Sequence, residues 1–177
     1  MFDLWAKRTG LIDSIVGLKF FNVFGPNEYH KGNMRSFVIK AFQQIEESGK
    51  VKLFKSQHSD YGDGEQLRDF LYIKDCADMT LFFMDNPDVN GIFNIGTGKS
   101  RSWNDLANAV FCAMNKKPNI EYIAMPEELQ GKYQYFTQAD ITKLQNKGYD
   151  KEQTKLEDAI KDYVQNYLQN NKYLSGK

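Results

Sequence analysis

Three observations in the sequence predict an α/β fold whose strands belong to an open parallel sheet. Strand-like and helix-like segments alternate along the whole chain, the order that lays helices on a parallel sheet. The apolar runs 15–24 and 91–96 read as buried strands, and each stops at a glycine-bearing turn, Gly25-Pro26 and Gly96-Thr97-Gly98. Two helices are signed by capping pairs. Ser102 with Asp105 introduces the stripe Trp103, Leu106, Ala107, Val110, Phe111 and Met114, and Thr154 with Glu157 introduces Leu156, Ile160, Tyr163, Val164, Tyr167 and Leu168. Such stripes are read as core.

In chain order, residues 2–9 form the tail of a helix and 15–24 the first strand. Phe37, Val38, Ala41, Phe42 and Ile45 recur at helical spacing, which predicts a helix over 34–48 with Gly49 as its stop. Residues 51–54 are a short strand. From 55 to 67 the chain turns polar and loses periodicity, so a flexible loop is expected. A strand over 68–73 follows, then a helix over 74–85 that the Asn86-Pro87 step ends. After the strand at 91–96 come the Ser102 helix, a strand over 120–123 closed by Pro126, a short helix starting near 137–140, and the Thr154 helix.

Composition excludes several classes. The 23 basic and 23 acidic side chains cancel, which removes the charge footprint of a nucleic-acid binder. With 41% apolar and 14% aromatic residues, the 177-residue chain can pack a core, which excludes disordered and fibrous classes. The apolar runs fall short of a bilayer span and the first residues carry no signal-peptide pattern, so a soluble cytoplasmic protein is expected. Cys76 and Cys112 sit in apolar-periodic segments without a CxxC and read as buried reduced thiols. His30 and His58 have no ligand-spaced cluster around them, so no metal site is expected.

The run from Phe20 to Met34 is the candidate site. Asn22 falls near the carboxyl end of its strand, where open α/β sheets take their ligands, and a turn bearing Gly25, Lys31 and Gly32 follows. An ordinary surface loop is the competing reading.

Four pieces occur in the order found in the sugar-nucleotide epimerases and dehydratases of the extended short-chain dehydrogenase/reductase superfamily. They are Asn22-Val23-Phe24-Gly25-Pro26, Arg68-Asp69-Phe70-Leu71-Tyr72-Ile73-Lys74-Asp75, Gly91-Ile92-Phe93-Asn94-Ile95-Gly96-Thr97-Gly98 and Tyr133. Within that superfamily, residues 28–34 (Glu-Tyr-His-Lys-Gly-Asn-Met) and 131–140 (Gly-Lys-Tyr-Gln-Tyr-Phe-Thr-Gln-Ala-Asp) resemble the ADP-heptose 6-epimerases. The resemblance covers nearly the whole chain. It implies the last strands and helices of a Rossmann-type parallel sheet plus a small C-terminal α/β substrate-binding domain, with residues 1–177 forming the C-terminal part of such an enzyme.

The family's glycine-rich turn, G-x-G-x-x-G or G-x-x-G-x-x-G, does not occur in these residues, and the only Tyr-x-x-x-Lys, Tyr173 to Lys177, reads as coincidence in a fraying tail. The chain alone is therefore expected to be inactive.

The resemblance also implies roles. Lys31 matches one of two acid/base groups that serve transient oxidation and re-reduction at C6 of an ADP-bound heptose, in the synthesis of a lipopolysaccharide inner-core precursor. The cofactor implied is NADP, with Val23 against the nicotinamide and Lys31 beside it. Asn22, Asn33, Lys40, Arg68 and Tyr133 match substrate-contacting positions, with Arg68 clamping the ADP phosphates through its fork of donors. Phe54, Lys55, Ser56 and Gln57 fall where the family binds the nucleotide. Asn33 stands for a serine, Lys40 for a histidine, and 55–57 depart from the usual small and acidic residues. Gly96-Thr97-Gly98 is assigned a structural turn. A nucleotide sugar is the implied partner, together with self-association as a pentamer in the full-length form. Another nucleotide-sugar epimerase or dehydratase, or a noncatalytic ADP-sugar-binding or assembly module, stays open beside this reading.

Overall fold

A computed structural model of the chain describes residues 2–173 as alternating helices and mostly parallel strands. In order, these are α1 (Phe2–Arg8), β1 (Val16–Phe20), β2 (Asn22–Phe24), α2 (Phe37–Ser48), β3 (Val51–Phe54), β4 (Leu67–Tyr72), α3 (Ile73–Asp85), β5 (Gly91–Ile95), β6 (Ser100–Ser102), α4 (Trp103–Ala113), β7 (Ile120–Ile123), α5 (Thr142–Gln145) and α6 (Leu156–Tyr163). Single 3-10 turns lie at Leu11–Asp13, Tyr29–Met34 and Glu127–Leu129, and a π turn over Val164–Leu168 continues α6.

Three parallel pairings organise these strands: β1 with β5 from Val16↔Gly91 to Phe20↔Ile95, β2 with β4 from Asn22↔Phe70 to Phe24↔Tyr72, and β3 with β7 from Val51↔Ile120 to Phe54↔Ile123. The α/β architecture with parallel strands agrees with the sequence. Its first strand, however, is two. Phe21 still donates its N–H to Ile95 O at 3.0 Å, while the Val23 N–H turns back onto Phe21 O at 2.8 Å. The chain leaves β5 at that point and joins β4, so Asn22 stands opposite Phe70.

Further differences have local causes. Helix α2 starts at Phe37 rather than residue 34, because residues 29–34 coil into a tight turn that Gly32 reverses at φ 52° and ψ −124°, a conformation reserved for glycine. The α4 capping box is present, with Asp105 N–H donating to Ser102 Oγ at 3.0 Å and Ser102 N–H to Asp105 Oδ2 at 3.1 Å. The expected Thr154 cap is not. Thr154 gives its N–H and hydroxyl to Asp75 at 3.0 and 2.8 Å, so α6 begins two residues later and Glu157 pairs with Arg101 at 2.6 Å. The late short helix forms at Thr142, past the expected 137–140.

The expectation of two buried thiols holds for Cys76 alone; Cys112 lies on the outer face of α4 and is exposed. Strand β6, antiparallel to β4 with Arg68↔Arg101, has no counterpart in the sequence reading, since its Ser-Arg-Ser lacks an apolar alternation. Residues 174–177, and with them most of the Tyr173–Lys177 spacing, lie outside the described residues.

Two cores result. One gathers Val38 and Ile45 of α2, Leu53 of β3, Leu106, Val110 and Phe111 of α4, and Ile160 and Tyr163 of α6. The other joins Leu71, Met79, Phe93, Ile95 and Leu144 under α3. Buried Asp69 of β4 ties the loops between them. Its carboxylate accepts from Thr97 N at 2.8 Å, Thr97 Oγ1 at 2.7 Å, Gly98 N at 2.9 Å and Ala139 N at 3.0 Å. A Cβ at Gly96 would stand 2.5 Å from that of Ala139, which explains the glycine opening this turn and accords with its structural assignment. Among the described residues no helix is long and apolar enough to cross a membrane.

Candidate functional site

Strand β2, Phe70 of β4 and the start of α2 enclose a cavity of about 520 Å³, and Asn22, expected near the carboxyl end of its strand, instead opens β2 just past the end of β1. Asn22, Val23, Lys31, Lys40, Phe37 and Trp103 are among its walls. Lys31 is exposed at its rim, on the turn over Tyr29–Met34. That turn is latched from beneath by Glu28, 4% exposed, whose carboxylate accepts from Ser36 N and Ser36 Oγ, each at 2.6 Å, and from the Tyr163 hydroxyl at 2.9 Å. Three donors on one carboxylate compensate its burial and hold the segment that carries Lys31. Sequence reasoning passed over Glu28. Its signal was a carboxylate just ahead of a glycine turn with a cap-type serine eight residues on, a spacing too long for the capping-box pattern.

A second cavity of about 190 Å³ adjoins the first and shares Phe37 and Trp103 with it. It is an aromatic slot between Phe54 and Tyr133, whose rings meet edge to face at 6.4 Å, with buried Gln66 also lining it. Beyond Phe54 the loop carries little regular structure, yet it is tied down: Ser56 N–H donates to Asp63 Oδ1 at 2.8 Å, and His58 and Tyr61 pack against Tyr135. A larger hollow of about 690 Å³ around Thr97, Lys99 and Gln138 contains none of the predicted site residues.

Arg68 lies behind the slot, 7% exposed. Its guanidinium stacks on Tyr133 at 5.1 Å and Trp103 at 5.8 Å, Nη1 donates to Leu67 O at 2.8 Å, and Nη2 donates to Gln134 O. It makes no pair with Asp69, whose donors are those named above. Burial lowers the Arg68 pKa from its usual value, opposed by the neighbouring Tyr133, and the Tyr133 phenol is itself pushed up by burial. Arg68 thus holds the aromatic wall in place with two of its five N–H groups.

Asn22, Val23, Lys31 and Lys40 therefore share one cavity, and Phe54 and Tyr133 the adjoining slot. The remaining candidates stand apart. Asn33 contributes only its carbonyl to the region, accepting from Lys40 Nζ at 2.7 Å, and Lys55, Ser56 and Gln57 run along the loop outside both walls. The Gln57 N–H donates to the Tyr135 hydroxyl at 3.2 Å. Trp103 escaped notice as a cavity-lining residue because its place in the α4 stripe reads as core.

Residues 5–96 match the model of the NAD dependent epimerase/dehydratase family. Among curated proteins the chain is 57% identical over 160 residues to ADP-L-glycero-D-manno-heptose-6-epimerase of Nitratidesulfovibrio vulgaris, covering 90% of this chain and 50% of that protein. It is 51% identical over 167 residues to the enzyme of the same name from Fusobacterium nucleatum, with 90% and 50% covered. The chain thus spans about half the length of the curated relatives it matches. Among solved structures it resembles the Helicobacter pylori ADP-L-glycero-D-manno-heptose-6-epimerase at 28% identity and TM-score 0.73, over 92% of this chain and 47% of that one. The likeness to the UDP-N-acetylglucosamine 4-epimerase of Methanobrevibacter ruminantium, 24% identical with TM-score 0.75 over 95% and 51% of the two chains, is one of fold.

Proposed function

The chain belongs to the NAD dependent epimerase/dehydratase family, and from that premise we propose that it forms the sugar-nucleotide side of an ADP-heptose 6-epimerase. One observation carries the reading. Asn22, Val23, Lys31, Lys40, Phe54 and Tyr133, more than a hundred residues apart at the extremes, line two cavities that meet at Phe37 and Trp103. Together these have the extent of a pocket for a drug-sized ligand, with a polar end and an aromatic end. Such a division suits a sugar at the first and a nucleotide at the second.

Inverting C6 of the heptose requires that a hydride be removed and returned, which a bound nicotinamide supplies. Half-buried Val23 offers a flat apolar wall beside Lys31, and the two fit the nicotinamide end of a dinucleotide. The work of this chain is acid/base and positional. Lys31 Nζ exchanges the proton of the C6 oxygen in one orientation of the substrate. Asn22 hydrogen-bonds the sugar, Lys40 stands over the same cavity, and Tyr133 and Phe54 flank the nucleotide. Asn33 and the 55–57 segment take outer contacts. Residues 1–177 act here as the C-terminal part of an enzyme whose second acid/base group and phosphate-binding turn come from elsewhere. NADP as the cofactor, a cytoplasmic homo-oligomer, and lipopolysaccharide inner-core precursor synthesis complete the proposal. The names of the relatives support the substrate.

Calorimetric titration of the chain with ADP-heptose and with UDP-glucose tests the reading. Saturable binding of the ADP sugar in preference to the UDP sugar is expected. Equal affinity for both, or no binding of either, overturns the assignment.

A further inference from the structure

Trp103 forms, with Phe37, the wall common to both cavities, and its indole N–H is buried without a hydrogen-bond partner among the described residues. A buried donor left unpaired costs roughly 1–3 kcal/mol, so native structures keep few of them, and the exceptions call for a cause. Packing alone does not require an indole here. The ring is braced edge to face by Phe37 at 5.3 Å and Phe70 at 5.1 Å, contacts that a phenyl ring would also make. The N–H approaches the Tyr133 hydroxyl without completing a bond to it. The Arg68 guanidinium lies over the same two rings, which makes the junction of the cavities electropositive. The Ser102–Asp105 capping box fixes Trp103 as the first residue of α4, so the indole is held rigidly where the cavities join.

We infer that Trp103 is a ligand-contacting residue whose indole N–H donates to an oxygen of a nucleoside diphosphate lying across the junction of the two cavities. The inference rests on the nucleotide-sugar reading and adds to it a donor that positions the nucleotide. Folding leaves the N–H unpaired and the ligand pairs it, so binding recovers a cost already present in the free protein.

Trp103→Phe keeps the ring contacts and deletes the donor. Titrated with ADP by calorimetry, the variant is expected to bind about tenfold more weakly than the parent, the loss of one hydrogen bond to a charged acceptor. Its melting temperature should be equal or higher, because an unsatisfied buried group has been removed. That pairing of weaker binding with undiminished stability is one a purely structural tryptophan would not give. Independently, the chain has two tryptophans, so Trp5→Phe leaves Trp103 as sole reporter, and its emission should shift on ADP addition. Unchanged ADP affinity in Trp103→Phe, a lowered melting temperature alongside any loss, or an unmoved Trp103 emission at saturation overturns the inference and leaves the nucleotide reading standing. Failure of the parent chain to bind ADP overturns both.

Discussion

The Tyr163 hydroxyl of α6 donates to Glu28 Oε1 at 2.9 Å, joining the last helix of the chain to the turn that carries Lys31. Burial, and then the Glu28 charge, push the Tyr163 phenol far above its ordinary range, so it stays a donor at any working pH. Tyr163→Phe leaves Glu28 with the two Ser36 donors and is expected to cost about 1–2 kcal/mol in urea unfolding. Glu28→Ala strands three donors at once and should cost more, about 2–4 kcal/mol. Equal effects from the two would show that the latch is no stronger than one hydrogen bond.

Asp69 offers a sharper case, because four donors converge on one fully buried carboxylate. Asp69→Asn turns an amide group into that ring of donors, so at least one N–H must face another. A loss of about 2–4 kcal/mol is expected. Hydrogen exchange should localise it, with the Thr97, Gly98 and Ala139 amides losing protection first. Retained protection at all three would mean that the loops are held by other contacts.

Thiol chemistry separates the two cysteines. Burial pushes the Cys76 thiol up to about 11, whereas Cys112 is exposed. At pH 8 a thiol reagent should modify Cys112 quickly and Cys76 only on unfolding, read as one adduct in the intact mass.

The same burial makes stability fall in alkali. Cys76 rises from 9.0 to about 11 and Tyr149 from 10.0 to about 12, each by desolvation first. In both, the folded state binds the proton more tightly than the unfolded state. Their contribution is therefore complete below about pH 9 and is lost as pH climbs through 11 to 12. Melting temperatures that stay flat from pH 9 to 11 would refute the assignment.

Much of the fold was legible because it rests on local signals. The apolar runs marked the places of β1 and β5, although β1, expected to be buried, is half-buried to exposed along its length, and the Ser102–Asp105 pair marked α4 to the residue. What the sequence hid depends on partners far along the chain. Thr154 has the look of a cap, but Asp75, 79 positions away, draws its donors off. Phe21 looks like mid-strand, and its place between two sheets follows only from the pairing of Ile95 on one side and Phe70 on the other. Among the candidate residues, the motifs singled out Lys31, Asn22 and Tyr133, and the fold brings each of them to a cavity wall. Arg68 was legible by type and not by orientation, since the Leu67 and Gln134 carbonyls that take its terminal nitrogens carry no sequence signature. Trp103 was masked by its helical stripe.

Lys31 and Gly32 allow chemistry and geometry to be tested apart. Lys31 is exposed, so Lys31→Ala should shift unfolding by no more than about 0.5 kcal/mol. In a protein holding the complete active site, it should abolish most turnover while leaving ADP affinity near that of the parent, because the lysine serves the sugar end. Gly32→Ala acts differently. A Cβ there meets nothing within 4 Å, yet φ 52° with ψ −124° is closed to alanine, so the turn must re-form at a cost of about 1–3 kcal/mol. The re-formed turn aims Lys31 elsewhere, and turnover should fall although the lysine is intact. Unfolding curves and turnover measured side by side decide the matter. If Lys31→Ala keeps full turnover, the proton role of Lys31 is wrong, and if only Gly32→Ala loses activity, the turn serves the ligand through its backbone.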